Sequence, residues 1–309
     1  MRYASRETRR SRRGFALLAV LLVMTAAVAL GAALASRSNA AIAAARNRVA
    51  LTTASWRAEG CVERARAVIG DALQEDATGR TWRQLDSVVA GVALGAECDV
   101  TVRPSGLRLD ANEATHEQLR VLFQGSGVVK DRADSLADAV IDWRDADDEP
   151  QPHGAERAWY EAARRLPPKN GAFSSEAELS LVRGVADVPG IDTLVGVDRA
   201  RIWVDRAPLA VLATLPGFTA EAISQIRARR EIGRSIGELA AFADGLSPGA
   251  RDAVLAHYAE LSRLTTLIPE SWTITALAAS GSPEAVVRIE VRVARAGTRA
   301  AIVRRRSWP

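Results

Sequence analysis

The residues best suited to chemistry lie in one acidic stretch of twelve residues. Asp145, Asp147 and Glu149 stand at its first, third and fifth positions, and Glu156 stands at its twelfth. Carboxylates at this spacing can converge on one Ca²⁺, which takes about six to eight oxygen ligands. An EF-hand needs glycine at the sixth position, and Pro150 stands there. The spacing therefore indicates either a calcium loop of another type or a solvated acidic loop.

No catalytic motif accompanies this stretch. The sequence contains no H-E-x-x-H, no G-x-S-x-G and no P-loop pattern. Its three histidines, His116, His153 and His257, are scattered. We therefore expect neither enzymatic activity nor a small-molecule substrate.

The two cysteines, Cys61 and Cys98, lack the C-x-x-C spacing of a metal site. If the bulk of the chain lies outside the cytoplasm, its compartment permits a disulfide. We predict a Cys61–Cys98 bond, which would tie a long helix to the first strands. Two unpaired thiols are the alternative.

The elements that position these groups begin with an apolar N-terminal segment. No charged side chain occurs from Phe15 to Ala35, and six arginines precede Phe15. About 20 apolar residues in a helix span a bilayer, and an arginine cluster stays on the cytoplasmic side. The segment is longer than the apolar part of a secretory signal peptide. We therefore expect a membrane anchor, with the rest of the chain across the membrane.

The net charge gives no indication of nucleic-acid binding. Residues 1–14 contain six arginines and one glutamate, so without them the net charge falls from +4 to −1. A chain with a net charge near zero lacks the excess positive charge that would attract phosphates.

One helix is predicted from Phe15 to about Ala72, because this part of the chain is rich in alanine and lacks proline. Apolar residues recur along its second half at roughly helical spacing, and we expect this stripe to pack on the globular domain. The stripe consists of Ile42, Val49, Trp56, Val62 and Ile69.

Alternating apolar and polar residues predict β-strands in two separate parts of the chain. The first part, 98–109, has two short runs around Pro104-Ser105-Gly106 and predicts a hairpin. The second part is C-terminal and contains three alternating segments, 272–278, 285–293 and 299–304. We expect strands from both parts to form one antiparallel sheet against the long helix.

Between these strands, the region 112–265 is predicted to be helical and contains an imperfect repeat. Asn112 and Asp205 are the predicted N-caps of the two copies. Leucines follow each cap at the same offsets, and the second helix of each copy ends in an arginine: Leu119, Leu122 and Arg144 in the first copy, Leu212, Leu215 and Arg229 in the second.

The first copy carries an insertion that contains the acidic stretch. From Arg144 to Gly171 the chain runs 27 residues, whereas from Arg229 to Gly233 it runs four. A connection this long inside a compact unit is usually functional or disordered.

The second copy contains a turn, 215–223, that resembles a helix-hairpin-helix. DNA-binding turns of this kind use a second glycine to approach a phosphate, but Thr219 stands at that position and no lysine follows. A tight turn that packs two helices is the structural alternative. Four arginines nevertheless keep a membrane-anchored DNA-binding or DNA-uptake protein as the alternative function: Arg227, Arg229, Arg230 and Arg234.

The N-terminus resembles a type IV prepilin leader, since Arg12-Arg13-Gly14-Phe15 precedes the apolar segment. In that family a peptidase cleaves after the glycine, here Gly14, and Phe15 becomes a methylated N-terminus. Ala19 stands at the fifth mature position, where most pilins have glutamate. This departure is typical of the K-type minor pseudopilins of the type II secretion system (the GspK family). An uncleaved anchor is the alternative.

The acidic block strengthens that resemblance. The sequence from Ile141 to Asp147, followed by Gly154-Ala155-Glu156, is similar to the characteristic block of K-type pseudopilins, and it implies calcium binding. The implied site residues are Asp142, Asp145, Asp147, Glu149 and Glu156. One ion is implied more strongly than two, because Arg157-Ala158 stand where the family often has acidic residues.

The resemblance implies an α+β fold in which a pilin-like long N-terminal helix packs on an antiparallel β-sheet. A large inserted all-α domain would contain two helix-hairpin-helix-like (SAM-like) repeats. The expected division is leader 1–14, transmembrane half-helix 15–36, amphipathic half-helix and first strands 37–110, inserted domain 111–266 and C-terminal strands 267–309. Within the inserted domain we expect repeats at 111–184 and 203–262 and the acidic insertion at 145–170.

The implied function is that of a minor pseudopilin at the tip of the periplasmic pseudopilus. The chain would cross the bacterial inner membrane once, with its C-terminal domain in the periplasm. Its implied partners are the I- and J-type minor pseudopilins, the prepilin peptidase and the inner-membrane assembly platform, and nucleic acid is not among them.

Overall fold

The computed structural model describes residues 8–76 and 79–308 as a mixed helical and antiparallel β structure. The helices are α1 (Thr8–Glu75), α2 (Leu85–Ala90), α3 (His116–Gly125), α4 (Lys130–Arg144), α5 (Arg157–Ala162), α6 (Ile191–Leu194), α7 (Leu209–Leu212), α8 (Ala220–Glu231), α9 (Leu239–Ala243), α10 (Pro248–Ala256) and α11 (Tyr258–Leu264). The strands are β1 (Asp99–Pro104), β2 (Leu109–Asp110), β3 (Val195–Gly196), β4 (Ile202–Trp203), β5 (Thr265–Thr266), β6 (Ser271–Ser280), β7 (Ala285–Ala296) and β8 (Arg299–Trp308). Short 3₁₀ helices span Thr81–Arg83, Glu176–Leu181 and Val185–Asp187.

Helix α1 continues unbroken from the apolar segment into the folded domain, as the sequence predicts. By length and composition, its part from Phe15 to Glu75 contains a segment apolar enough to cross a membrane. Residues 1–7 of the predicted leader lie outside the described residues. The predicted cleavage position, Gly14–Phe15, lies within the helical backbone.

The face of α1 that packs on the sheet differs from the prediction. Ile42, Val49 and Trp56 are 48%, 66% and 73% exposed, so the prediction was wrong for them. At about 100° per residue, these three stand on the side opposite the buried face. That face carries Val62 and Ile69, as predicted, among small side chains that let the helix approach the sheet closely: Ala50, Ala54, Ala58, Cys61 and Ala65.

The sheet that supports α1 joins the strand near residue 100 to the C-terminal strands, as predicted. Its order is β1-β6-β7-β8, and every neighbouring pair is antiparallel. Trp272, Ile274 and Ala276 are buried in the same core as the buried face of α1, and the residues between them are partly exposed. This alternation is the two-residue period of a sheet with one covered face.

The hairpin predicted at 98–109 does not form. Strand β1 pairs with β6, whereas β2 pairs in parallel with β3. Between them, Gly106 has φ +79°, and its carbonyl accepts a hydrogen bond from the Trp203 amide at 2.8 Å. A Cβ on Gly106 would overlap the Arg201 carbonyl, so the turn packs against the helical region instead of folding β2 back onto β1.

The helical region lies between β1 and β6 and contains two segments of equivalent construction. Each begins with a two-residue strand and closes on a parallel partner: β2 with β3, and β4 with β5. The Asn112 side chain accepts from the Phe173 amide at 2.7 Å, and the Asp205 side chain accepts from the Ile236 amide at 2.8 Å. The prediction that Asn112 and Asp205 are helix N-caps is wrong, because Thr115 is the N-cap of α3 and Pro208 is that of α7. Their side chains instead accept from backbone amides far along the chain, in the same way in both segments.

The arginines that close the second helix of each segment correct the alignment of the repeat. Arg144 donates to the carbonyls of Ala111 and Ala114. The equivalent bonds in the second segment, to Val204 and Ala207, come from Arg230 and not from Arg229, which the sequence aligned with Arg144. The segments bounded by the strand pairs, 109–196 and 202–266, are also longer than the predicted 111–184 and 203–262.

Tryptophans fix the helical region to the sheet. Trp203 of β4 packs edge-on against Trp272 of β6, with ring centroids 6.3 Å apart. The Trp272 indole donates to the Trp82 carbonyl at 2.8 Å, and the Trp82 indole donates to the Pro269 carbonyl at 2.7 Å. All three rings are buried, so the inserted region is held by packing and by satisfied indole donors.

The structure contains a disulfide between Cys61 of α1 and Cys98, with the Cα atoms 5.5 Å apart. The bond joins the buried face of α1 to the residue before β1. It therefore crosslinks the long helix to the edge of the sheet.

Candidate metal centre

The acidic stretch forms a loop whose two ends are held by helices. Asp142 lies in the last turn of α4, and Asp145 is the residue that ends it. Glu156 is the N-cap residue of α5. Because both ends are anchored, the loop brings distant carboxylates together: ligand oxygens of Asp145, Asp147 and Glu156 lie within 4.8 Å of one another.

Glu149 stands apart from this group, although the spacing predicts it as a ligand. Its side chain is exposed, and it is not among the three clustered carboxylates. The Glu149 amide donates to Asp147 Oδ1 at 2.9 Å. This bond forms a local turn, which leaves the Glu149 side chain on the surface.

Several oxygens around the cluster are buried and accept no hydrogen bond from the described part of the chain. They are Asp142 Oδ2, Asp145 Oδ1, both Glu156 carboxylate oxygens and Asn170 Oδ1. Asp142 is completely buried and Glu156 is 4% exposed. Burying an acceptor without a partner is costly, and burying a carboxylate without a counter-charge costs more. A divalent cation with oxygen ligands satisfies both needs, so these residues fit calcium.

The electrostatics of the loop lead to the same requirement. Burial and, to a smaller extent, the nearby Asp142 and Asp145 carboxylates together raise the pKa of Glu156 from 4.5 to about 7. Burial also raises the pKa of Asp142 and of Asp145, and Asp147 adds to the effect on Asp145. The ionised cluster is therefore disfavoured unless positive charge enters it.

The backbone of the loop passes directly over Asp142. A Cβ on Gly154 would overlap Asp142 Oδ2, so only glycine fits this approach. The other Asp142 oxygen accepts from the Gln151 amide at 3.0 Å. The short segment from Gln151 to Gly154 is thus folded around the Asp142 carboxylate.

Asn170 is a site residue that the sequence analysis did not select. Its side-chain Nδ2 donates to the Asp147 carbonyl at 2.6 Å and to Asp148 Oδ1 at 2.9 Å, while its side-chain Oδ1 has no donor among the described residues. Its φ of 49° lies in the left-handed region, where asparagine is favoured. An asparagine directly before Gly171, at the end of the insertion, was the available signal.

A cluster of aromatic side chains packs next to the candidate centre. Trp143 follows Asp142 in α4, and its ring stacks on Phe173 at 6.3 Å and meets Tyr160 edge-on at 5.6 Å. Tyr160 lies in α5, the helix that begins directly after Glu156. These rings join both ends of the loop to one buried core.

The helix-hairpin-helix-like turn of the second segment is occupied by internal contacts. A Cβ on Gly217 would overlap the Ala253 carbonyl of α10, and Thr219 caps α8 by accepting from the Ala222 amide. Arg230 binds backbone carbonyls, and the Arg229 guanidinium lies over the Phe242 ring. These contacts match the packing turn that was the structural alternative.

Comparisons with known proteins agree with one another. Residues 99–188, which include all the clustered carboxylates, match the family model "Type II secretion system (T2SS), protein K". The chain is similar to the type II secretion system protein K of Pectobacterium carotovorum subsp. carotovorum, with 31% identity over 201 residues. That match spans 57% of this chain and 60% of the relative.

A solved structure shows a similar fold. A chain of the GspK-GspI-GspJ complex from the type 2 secretion system of enterotoxigenic Escherichia coli matches with a TM-score of 0.56 and 12% identity. The match covers 84% of this chain and 96% of that one.

Proposed function

We propose that this chain is a member of the type II secretion system protein K family and a minor pseudopilin at the tip of the periplasmic pseudopilus, because residues 99–188 match that family's model and a protein K is 31% identical over 201 residues. The observation that carries the proposal is the combination of that family match with a long apolar helix that continues into a domain built on a sheet. The proposed role is structural and requires no catalysis. In it, the chain initiates or caps a fibre that exports folded proteins.

The proposed partners are the I- and J-type minor pseudopilins, together with the inner-membrane assembly platform. The relative of known structure is named as part of a complex with proteins I and J. An apolar stripe for such contacts runs along α1 on the side away from the sheet, and it consists of Ile42, Val49 and Trp56. The bulk of the inserted domain would hinder addition of another subunit at this end of the fibre.

The proposed location is the bacterial inner membrane, with the arginine-rich end in the cytoplasm and the folded domain in the periplasm. Cleavage by the prepilin peptidase and methylation of Phe15 belong to the same proposal. A disulfide outside the apolar segment is compatible with an oxidising compartment.

Leader cleavage tests the pseudopilin assignment. We expect the membrane-extracted protein to begin at Phe15, as measured by intact mass or N-terminal sequencing. Gly14→Val should block processing, and Gly14→Ala should slow it far less, because a small peptidase pocket excludes a branched side chain. Mature protein that retains residues 1–14 would contradict the assignment.

Calcium is the proposed cofactor, bound as one ion by Asp145, Asp147 and Glu156 with support from Asp142 and Asn170. The unpartnered buried oxygens favour it. When bound, the ion supplies positive charge that offsets the repulsion among the carboxylates. The chain's own part is to bring these oxygens together and to bury them, so that the insertion is held against the first repeat.

The response to calcium should depend on pH. The pKa of Glu156 is raised to about 7 without the ion. The stability that comes from protonated Glu156 is therefore fully present below about pH 4.5, and it is lost as pH rises through about 7. Calcium needs the ionised form, so its effect on melting temperature should be larger at about pH 8 than at about pH 5. Thermal unfolding with calcium or chelator measures this, and an equal response at both pH values would contradict it.

A further inference from the structure

We propose that Arg183 and Asp138 are positioning residues for the calcium site. They hold the insertion at His153 from both sides and thereby set the affinity for calcium without touching the ion. This inference rests on the proposed calcium site and adds to it a pair of residues that lie outside the acidic stretch.

The backbone of His153 is clamped at both of its polar groups. Its amide donates to Asp138 Oδ2 at 3.0 Å, and its carbonyl accepts from Arg183 Nη2. His153 lies between the carboxylate of Asp147 and that of Glu156 in the chain. Fixing the position of His153 therefore shortens the unrestrained stretch of chain between two proposed ligands.

Asp138 acts from the helix that also carries Asp142. The two residues are four apart in α4, so they lie on the same face of the helix. Asp138 is 5% exposed, and its second oxygen accepts from His116 Nε2 of α3 at 2.9 Å. A carboxylate with a donor on each oxygen is fixed in orientation, and it can hold the loop amide at one place.

Arg183 acts from the segment that follows the 3₁₀ helix Glu176–Leu181. Its guanidinium also reaches the Ser135 carbonyl at 3.4 Å and lies over the Trp159 ring at 5.4 Å. Its backbone amide donates to the Tyr160 hydroxyl at 2.9 Å. Trp159 and Tyr160 are in α5, close after Glu156, so Arg183 links the middle of the loop to its end.

The clamp matters because the carboxylates repel one another when no ion is present. When a loop samples open conformations, its apparent affinity for calcium equals the affinity of the closed form multiplied by the fraction of time that the loop is closed. Residues that orient the ligands of a metal without binding it typically contribute about 10- to 100-fold to its affinity. Loss of either side of the clamp should therefore weaken calcium binding while the helices and the sheet remain.

Arg183→Lys is the sharpest test, because lysine retains the charge but lacks the planar guanidinium that lies over the Trp159 ring while one of its nitrogens, Nη2, reaches both carbonyls. Asp138→Asn is the second variant, since an amide accepts from only one of the two donors. Arg132→Lys is the matched control: Arg132 lines a groove together with His153 and Arg183, pairs with Asp187 at 3.4 Å and is half exposed.

Calcium titration of the full-length protein in detergent gives the affinity, and amide hydrogen exchange of residues 145–156 gives the closure of the loop. We expect affinities reduced about tenfold or more in Arg183→Lys and Asp138→Asn, and unchanged affinity in Arg132→Lys. Exchange in the loop should be faster in both variants without calcium and should return to wild-type protection at saturating calcium.

The outcomes separate this inference from the proposal beneath it. If the wild-type protein does not bind calcium, the site itself is overturned, and the clamp with it. If the wild type binds and the folded variants bind within twofold of it, only the positioning role is overturned. Either variant that folds is sufficient for this decision.

Discussion

Replacing Glu156 with glutamine is expected to abolish most of the calcium-dependent rise in melting temperature and also to stabilise the calcium-free protein. The first effect follows from the loss of a charged group among the proposed calcium ligands. A ligand at a hundredfold excess over its Kd stabilises by about 2.7 kcal/mol, or about 5–10 °C for a domain of this size. Melting followed by tryptophan fluorescence, with calcium and with chelator, measures it.

The second effect has the opposite sign and separates a ligand from a merely structural carboxylate. Ionising Glu156 without calcium is disfavoured, because its pKa is raised from 4.5 to about 7. At about pH 8, keeping Glu156 ionised in the calcium-free fold lowers the free energy of unfolding by about 3 kcal/mol at most. Glutamine carries no charge, so the variant avoids this penalty. The calcium-free variant should therefore melt higher than the calcium-free wild type.

Glu149→Gln is the matched control for this experiment. It makes the same chemical change in the same loop, at a side chain that is exposed and outside the cluster. It should leave both melting temperatures near those of the wild type. An undiminished calcium response in Glu156→Gln, or an equal loss in Glu149→Gln, would contradict the proposed ligand set.

Removing the disulfide is expected to lower the free energy of unfolding by about 3–4 kcal/mol. The bond closes a loop of 37 residues between Cys61 and Cys98, and a crosslink of this length restricts the unfolded chain by about that amount. The double variant Cys61→Ala/Cys98→Ala should melt about 10 °C lower than the oxidised wild type.

Reduction supplies the control for the disulfide. Dithiothreitol should lower the melting temperature of the wild type and leave that of the double variant unchanged. Thiol titration of the unfolded protein should find two thiols only after reduction. Equal thiol counts before and after reduction would contradict the bond.

The sequence predicted the sheet and the long helix because both have strong periodic patterns. It misplaced Ile42, Val49 and Trp56, because the residues that face the sheet are mainly alanines, whose weak hydrophobic signal the larger side chains mask. The hairpin at Pro104-Ser105-Gly106 failed for a related reason. A turn signal shows that the chain bends, but the contact of Gly106 with Trp203, far along the chain, decides where it goes next.

The candidate site was predictable in part. Spacing identified Asp145, Asp147 and Glu156, which converge because helices hold the two ends of the loop. Glu149 has the same chemistry and spacing, but a local turn at Asp147 places it on the surface. Asn170 reaches the loop from 23 residues beyond Asp147, and spacing within an acidic stretch carries no information about such contacts.

Assembly with the I- and J-type minor pseudopilins tests the central claim most directly. The three proteins should be co-expressed, extracted in detergent and separated by size, with each chain identified in the eluted complex. Trp56→Glu provides an internal control, because Trp56 is 73% exposed and its replacement should weaken the complex without lowering the melting temperature of the isolated chain. The account predicts one complex that contains all three chains, and elution of this chain alone in the presence of both partners would contradict it.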